Sequence, residues 1–111
     1  MVQPASDLGP LDQQVMLAIM RLHPRAYGVS IQRHIGCQTG RNYSIGAIYA
    51  ALDRIETKGY VASKQGEPTP ERGGRRKLYF TLTAPGQITL QQSLRNLDAL
   101  RRGIRWTEAT A

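Results

Sequence analysis

The segment from residue 41 to residue 60 constrains the fold most, because it carries both a start and a stop signal for one amphipathic helix. Ser44 is a typical N-cap residue, whose hydroxyl accepts a hydrogen bond from an amide of the first turn. Gly59 suits the left-handed position that follows many helices. Between them, apolar residues recur at steps of three and four, which predicts one buried face. This face consists of Ile45, Ile48, Leu52 and Ile55.

The opposite face of this helix is small and polar near its N-terminus, and a basic loop precedes it. Such a helix can approach a polyanion closely and place side chains against base edges in the major groove of DNA. An ordinary solvated helix face is the alternative. Tyr49 could instead pack at the edge of the core, and Gly46 could pack against the preceding helix. The candidate DNA contacts here are Arg41, Asn42, Ser44, Gly46, Tyr49, Ala50 and Arg54.

The charge balance favours an acidic partner. The chain has 111 residues, with 15 Lys and Arg against 8 Asp and Glu, a net charge of +7 and a pI of about 10.2. Nucleic acid is the first candidate for such a partner, and a basic surface that is merely solvated is the alternative. A hydrophobic fraction of 41% and a charged fraction of 21% are typical of a globular protein, and the length suits one domain.

Two helices are predicted before the central one. The first runs from about residue 10 to residue 22, and its main apolar face consists of Leu11, Val15, Ala18, Ile19 and Leu22. Met16 and Met20 lie on a second face, which indicates either a partner surface or a wider core contact. The next helix runs from about residue 27 to residue 38, and Gly40 separates it from the central helix. This order is typical of a helix-turn-helix motif.

A β-hairpin is predicted after Gly59. Residues 60–64 and 77–82 are short runs rich in β-formers, and the segment between them is full of turn formers. The basic residues of this hairpin are candidate phosphate contacts beside the central helix, and a solvated loop is the alternative. They are Lys64, Arg72, Arg75, Arg76 and Lys77.

A last helix is predicted from Thr83, its N-cap, to about residue 106, with Pro85 in the first turn. At about 1.5 Å per residue this helix would be roughly 34 Å long, which exceeds what the preceding body can cover. We therefore expect its apolar residues, with some of the first helix, to pack against a second copy in a two-fold dimer. The candidate interface residues are Leu11, Met16, Met20, Leu90, Leu94, Leu97, Leu100 and Ile104.

Together these elements predict a mainly α fold with a small β-hairpin, namely a winged helix-turn-helix domain with a C-terminal dimerisation helix. The expected organisation is a flexible N-terminal arm (1–9), the DNA-binding domain (10–82), the dimerisation helix (83–106) and a tail (107–111).

The spaced motifs resemble one family, the PadR-like transcriptional regulators. The matching pieces are Ala26-Tyr27-Gly28, residues 44–49, residues 52–61, and residues 72–83 with Gly86. The resemblance implies a homodimeric bacterial repressor that binds palindromic operator DNA, often with a small-molecule effector that relieves repression. Some short members hold flat aromatic compounds at the dimer centre with a tryptophan of the last helix. Trp106 lies near the extreme end of the predicted helix, so we do not assign that role to it.

Other chemistries have little support in the sequence. The single cysteine, Cys37, excludes an intrachain disulfide, and with His23 and His34 it lacks the paired spacing of a zinc site, which favours a buried or inert thiol. The sequence contains neither a paired-carboxylate signal nor a phosphate-binding glycine loop, so we expect no enzyme, no metal and no cofactor. Without an apolar run of membrane-spanning length or a secretion signal, we expect a cytoplasmic protein.

Two alternative functions stay open. One is a winged-helix protein-interaction module, and the other is an RNA-binding domain without operator specificity. The second has less support, because no strand pattern predicts an exposed aromatic platform for stacking bases.

Overall fold

The computed structural model describes residues 8–68 and 76–107. Within these ranges the element order confirms the predicted winged helix-turn-helix plan, with the hairpin as the wing and a helix after it. The elements are α1 (Pro10–Leu22), α2 (Gly28–Thr39), α3 (Ile45–Thr57), β1 (Val61–Pro68), β2 (Arg76–Leu82) and α4 (Ala84–Arg101).

The central helix α3 has the predicted boundaries. The Ser44 side chain accepts a hydrogen bond from the Ala47 amide at 3.1 Å, and Gly59 has a φ of 83° just after the helix. Three of the four residues of the predicted apolar face are buried, namely Ile48, Leu52 and Ile55. Ala51 is buried as well. Ile45, the fourth, is exposed, because the first residue of α3 lies beyond the edge of the core. The prediction that Ile45 is buried is therefore wrong.

Helices α1, α2 and α3 enclose one hydrophobic core. Val15, Ile19, Ile31, Ile48 and Leu52 are among its buried residues.

The core also includes two residues that the sequence pattern did not predict to be there. Leu8, which we assigned to a flexible arm, is buried, and its carbonyl accepts a hydrogen bond from the Gln13 side chain at 2.9 Å. Met16, which we assigned to a dimer surface, is 0% exposed within a single protomer. Of the two methionines on the second face of α1, Met16 thus lies in the core and Met20 lies at the surface.

The two strands pair antiparallel, with Val61 opposite Leu82 and Gln65 opposite Leu78. Strand β1 continues to Pro68, four residues further than predicted, although its register becomes irregular after Gln65. The Phe80 amide donates to the Ala26 carbonyl at 2.8 Å, which fastens β2 to the connection between α1 and α2. The hairpin is therefore held against the helix-turn-helix by backbone bonding as well as by its buried residues.

Helix α4 starts as predicted, since the Thr83 side chain accepts a hydrogen bond from the Gly86 amide at 3.1 Å. It ends at Arg101, five residues before the predicted end, and is about 27 Å long. Gly103 has a φ of 85°, which is not helical, so Ile104 lies outside the helix. Leu90, a predicted dimer residue, is instead buried in the core of its own protomer.

The last turn of α4 carries a small ion-pair cluster. Asp98 accepts hydrogen bonds from Arg101 at 2.6 Å and from Arg102 at 2.8 Å. The hydrogen bond from Arg102 and then that from Arg101 lower the pKa of Asp98. Both guanidinium groups lie at the C-terminal end of the helix, where the helix dipole stabilises positive charge.

Candidate nucleic-acid interface

The N-terminal part of α3 presents an exposed surface of small side chains. Ser44, Gly46 and Ala50 are all exposed. A Cβ atom added to Gly46 would meet only open space, with the Ser44 Oγ 4.0 Å away. The alternative in which Gly46 packs against α2 is therefore wrong. A surface of this kind allows another molecule to approach the helix backbone closely.

Tyr49 connects α3 to the start of α2. Its hydroxyl and ring lie against Gly28, so closely that a Cβ on Gly28 would collide with them. The side chain is nevertheless 47% exposed. Tyr49 is thus packed at the edge of the core, as the structural alternative predicted, and it still presents a large part of its surface to solvent.

The loop before α3 holds a cation close to the helix start. The Arg41 guanidinium carbon lies 4.8 Å from the centroid of the Tyr43 ring. The Tyr43 carbonyl accepts a hydrogen bond from the Gln32 side chain at 2.9 Å, which fastens this loop to α2. Asn42 is exposed, and its side-chain oxygen lies against Gly36 of α2.

The first residues of β2 hold a second cation near α2. The Lys77 ammonium lies 4.5 Å from the centroid of the Tyr27 ring, and the Tyr27 and Tyr79 rings meet edge to face at 5.7 Å. Lys64 is exposed and pairs with Tyr79 across the two strands. Arg76 opens β2 opposite Pro68. Arg72 and Arg75 lie outside the described residues.

Arg54, a predicted DNA contact, forms an ion pair within the protein. Its Nη2 lies 2.7 Å from the Asp12 Oδ1, and its Nε also donates to this carboxylate at 3.5 Å. The hydrogen bond to Asp12, and then the charge of Asp12, raise the pKa of Arg54. Because Asp12 is only 4% exposed, the guanidinium satisfies a buried carboxylate. The ion pair packs α3 on α1, and because the Arg54 side chain is 50% exposed, its contact with DNA stays a prediction.

Replacing Arg54 by alanine should lower the free energy of unfolding by about 1–2 kcal/mol, because the Asp12 carboxylate would remain buried without its partner. Urea denaturation measures this. The double variant with Asp12→Ala should lose less stability than the two single variants combined. Strictly additive losses would contradict the ion-pair assignment.

The structure thus brings together the small surface of α3, Tyr49, Arg41 and Lys77, with the α2 start between α3 and the hairpin. Sequence reasoning missed the residues that join these parts, namely Tyr27, Gly28 and Tyr43. The Tyr27-Gly28 pair was noticeable only as part of a family motif. Its contacts with Lys77 and Tyr49 join distant parts of the chain, and no local pattern indicates them.

The predicted dimer residues divide into three groups. Met16 and Leu90 are buried inside the protomer, so their assignment to a dimer interface is wrong. Leu11 and Leu94 are partly buried against the protomer's own core. The remaining predicted residues are exposed large apolar side chains, as are Leu17, Ile88 and Trp106, which the prediction did not include. These remaining residues are Met20, Leu97, Leu100 and Ile104.

Other chemistry has little structural basis in the described part of the chain. Residues 8–68 and 76–107 contain no group of three or more His, Cys, Asp or Glu side chains that could hold a metal ion. Cys37, which we expected to be buried or inert, is exposed. None of the helices in these same ranges has the length and apolar character needed to cross a membrane.

Sequence comparison now identifies the family. The model of the PadR-like transcriptional regulator family matches residues 16–92, which include α2, α3, the hairpin and the first half of α4. The chain belongs to this family. PadR-like proteins are DNA-binding transcriptional regulators rather than enzymes, which agrees with the exposed small surface and the cations around α3. Among curated proteins, none matches this chain in sequence.

Solved structures confirm the fold. A transcriptional regulator from Clostridium thermocellum has a TM-score of 0.71 at 21% identity, covering 92% of this chain and 93% of that one. A PadR family regulator from Clostridium difficile R20291 has a TM-score of 0.65 at 22% identity, covering 85% and 93%. A third, from Eggerthella lenta DSM 2243, has a TM-score of 0.64 at 24% identity, covering 80% and 75%.

Proposed function

We propose that this PadR-like regulator binds a palindromic operator as a homodimer, through sequence-specific contacts, and represses transcription in the cytoplasm. The observation that carries the proposal is the exposed, small-sided N-terminal surface of α3, with Arg41 in the loop before it and Lys77 on the ring of Tyr27, whose neighbour Gly28 contacts Tyr49 of α3. A surface without large side chains can enter the major groove, and these cations can neutralise phosphates of the DNA backbone.

Sequence would be read mainly by the first half of α3. Ser44 can donate its hydroxyl hydrogen to a base acceptor, and Ala50 can contact a thymine methyl group. Ile45, which is exposed beside them, offers a second apolar contact of the same kind. Most of the affinity would come from phosphate neutralisation by Arg41, Lys64, Lys77 and the wing arginines.

Dimerisation is supported by the exposed apolar residues of α4 and α1. Leu97 and Leu100 lie on the part of α4 beyond Leu90, and Met20 is exposed on α1. Large exposed side chains of this kind mark an interaction surface when they cluster. A two-fold dimer would present two α3 helices to successive turns of one face of the DNA, with half-site centres about 34 Å apart.

The repressor role and a small-molecule effector are proposed from the resemblance to the family. An effector would act by changing the separation of the two α3 helices, because operator affinity depends on both helices fitting their half-sites at once.

Selection of bound sequences from a random pool of duplex DNA tests the proposal. We expect a palindrome whose half-site centres are about one helical turn, roughly 10 base pairs, apart. Recovery of unrelated sequences, or equal competition by structured RNA, would refute operator specificity and favour the alternative of a protein-interaction or RNA-binding module.

Replacing both Arg75 and Arg76 by alanine should preserve folding but weaken operator binding. The slope of log dimer affinity against log salt concentration should fall in magnitude by up to about 3.6, because each phosphate contact contributes about 0.9 and the dimer loses two arginines from each copy. A matched control removes the same charge from the end of α4, with Arg101→Ala and Arg102→Ala. If the wing variant keeps its affinity and slope at low salt, the wing has no role in binding.

A further inference from the structure

Two exposed cations near α3 each lie over the ring of a tyrosine that the family motifs and charge patterns did not single out as a DNA contact. Lys77 Nζ is 4.5 Å from the Tyr27 centroid, and the Arg41 guanidinium carbon is 4.8 Å from the Tyr43 centroid. Both distances are within the range of cation–π attraction, about 6 Å from the ring centroid. The two pairs occupy separate parts of the fold, the start of β2 and the loop before α3.

The Tyr27 ring is held from several sides. It meets the Tyr79 ring edge to face, with an interplanar angle of 85°. Tyr79 itself lies across the strand pair on Gly66, where a Cβ would collide with its ring. The Tyr27 amide donates to the Ser30 side chain at 2.9 Å at the start of α2. The ring is therefore fixed between α2 and the hairpin, and Lys77, two residues before Tyr79, lies on the same strand face.

The Tyr43 ring is fixed in a comparable way. Tyr43 packs partly buried against the core, and its carbonyl accepts a hydrogen bond from the Gln32 side chain at 2.9 Å. The Arg41 amide donates to the Thr39 side chain at 3.0 Å, so the backbone beneath the cation is also held. The backbone of Tyr43 and that of Arg41 are thus both hydrogen-bonded to side chains of α2.

We infer that Tyr27 and Tyr43 are positioning residues for DNA binding, which hold the Lys77 ammonium and the Arg41 guanidinium ready to contact phosphates beside α3. Long cationic side chains lose rotamer freedom when they bind a phosphate, and a ring that already restricts them removes part of this cost. The ring covers only one side of each cation, so N–H groups on its other sides can still donate hydrogen bonds to a phosphate oxygen. The inference rests on the proposed DNA-binding function.

Tyr27 and Lys77 lie at the junction between α3 and the hairpin. The next residue, Gly28, contacts the Tyr49 hydroxyl of α3, whereas Tyr27 contacts Lys77 and Tyr79 of the hairpin. The first residues of α2 therefore join α3 to the wing. A cation held at this junction would contact the DNA backbone between the groove that α3 enters and the groove beside the wing.

A double-variant cycle with Tyr27→Leu and Lys77→Met tests the inference, with affinity for the selected operator duplex measured at several salt concentrations. Tyr27→Leu should weaken binding about three- to tenfold without changing the salt slope, because the cation remains but is no longer held. Lys77→Met should reduce the slope by up to about 1.8, because the dimer loses one phosphate contact from each copy. In the Lys77→Met background, Tyr27→Leu should have no further effect on affinity.

Tyr27→Phe is the matched control, because it keeps the ring and removes only the hydroxyl. It should bind like the unaltered protein. Equal weakening by Tyr27→Phe and Tyr27→Leu would overturn the inference, since it would assign the effect to a hydroxyl contact. Tyr43→Leu, Tyr43→Phe and Arg41→Met form the corresponding set at the other pair. Strict additivity of the tyrosine and cation variants would also overturn the inference.

The result also separates this inference from the proposed function. If the unaltered protein shows no preference for any duplex, the proposed function itself fails. If it binds its operator while Lys77→Met and Arg41→Met keep full affinity and slope, only the positioning role fails. Circular dichroism of each variant reports folding, and the single cation variants, at exposed positions, give a result even if a leucine variant unfolds.

Discussion

Replacing Leu97 by aspartate is expected to give a folded monomer that binds operator DNA at least about a hundredfold more weakly than the unaltered dimer. Leu97 is 53% exposed in the protomer, so an aspartate there remains solvated and the core keeps its packing. In a dimer built through α4, the interface would bury one carboxylate from each copy. Burying such charges costs several kcal/mol, which is enough to dissociate the dimer.

Sedimentation velocity and operator titration measure the two parts of this result. Asn96→Asp is a matched control, because it adds the same charge to the neighbouring exposed position of α4 but removes no apolar side chain. It should remain dimeric. A Leu97→Asp protein that stays dimeric at micromolar concentration would refute dimerisation through this part of α4, while a monomer that keeps full operator affinity would refute the need for two copies.

Replacing Gly86 by alanine is expected to lower the free energy of unfolding by about 3 kcal/mol. A Cβ at Gly86 would overlap the Tyr60 carbonyl group, whose carbon would be 2.8 Å away. Tyr60 cannot easily withdraw, because its amide donates to the Ile55 carbonyl at 2.9 Å and its own carbonyl accepts from the Thr83 amide at 3.0 Å. Relief would require α4 to move off the hairpin.

Gly46→Ala is the matched control, because Gly46 also lies in the first turn of a helix but has open space beside it. Helix propensity alone favours alanine over glycine by about 0.8–1 kcal/mol at either site. Urea denaturation should therefore show that Gly46→Ala is slightly stabilised and Gly86→Ala strongly destabilised. If Gly86→Ala is as stable as Gly46→Ala, the close approach of α4 to Tyr60 does not hold in solution.

Features that depend on neighbouring residues were predictable from the sequence. The boundaries of α1 and α3 follow from Pro10, Ser44 and Gly59, since capping and left-handed turns involve only residues a few positions apart. The family motifs are similarly local and spaced in order. The end of α4 was misjudged because its apolar spacing continues to Ile104, whereas the chain leaves the helix before Gly103.

Features that depend on distant residues were decided only by the tertiary structure. Periodicity gave α1 two apolar faces, and packing determined that Met16 lies in the core while Met20 remains exposed. The charge pattern predicted Arg54 as a DNA contact, and only the structure shows that its guanidinium also pairs with Asp12, 42 residues away. The sequence by itself determined the helices and the hairpin, because short-range backbone preferences fix these, and its spaced motifs indicated the family. The tertiary structure decided which side chains remain available to DNA or a second copy, because burial and pairing depend on contacts between elements far apart in the chain.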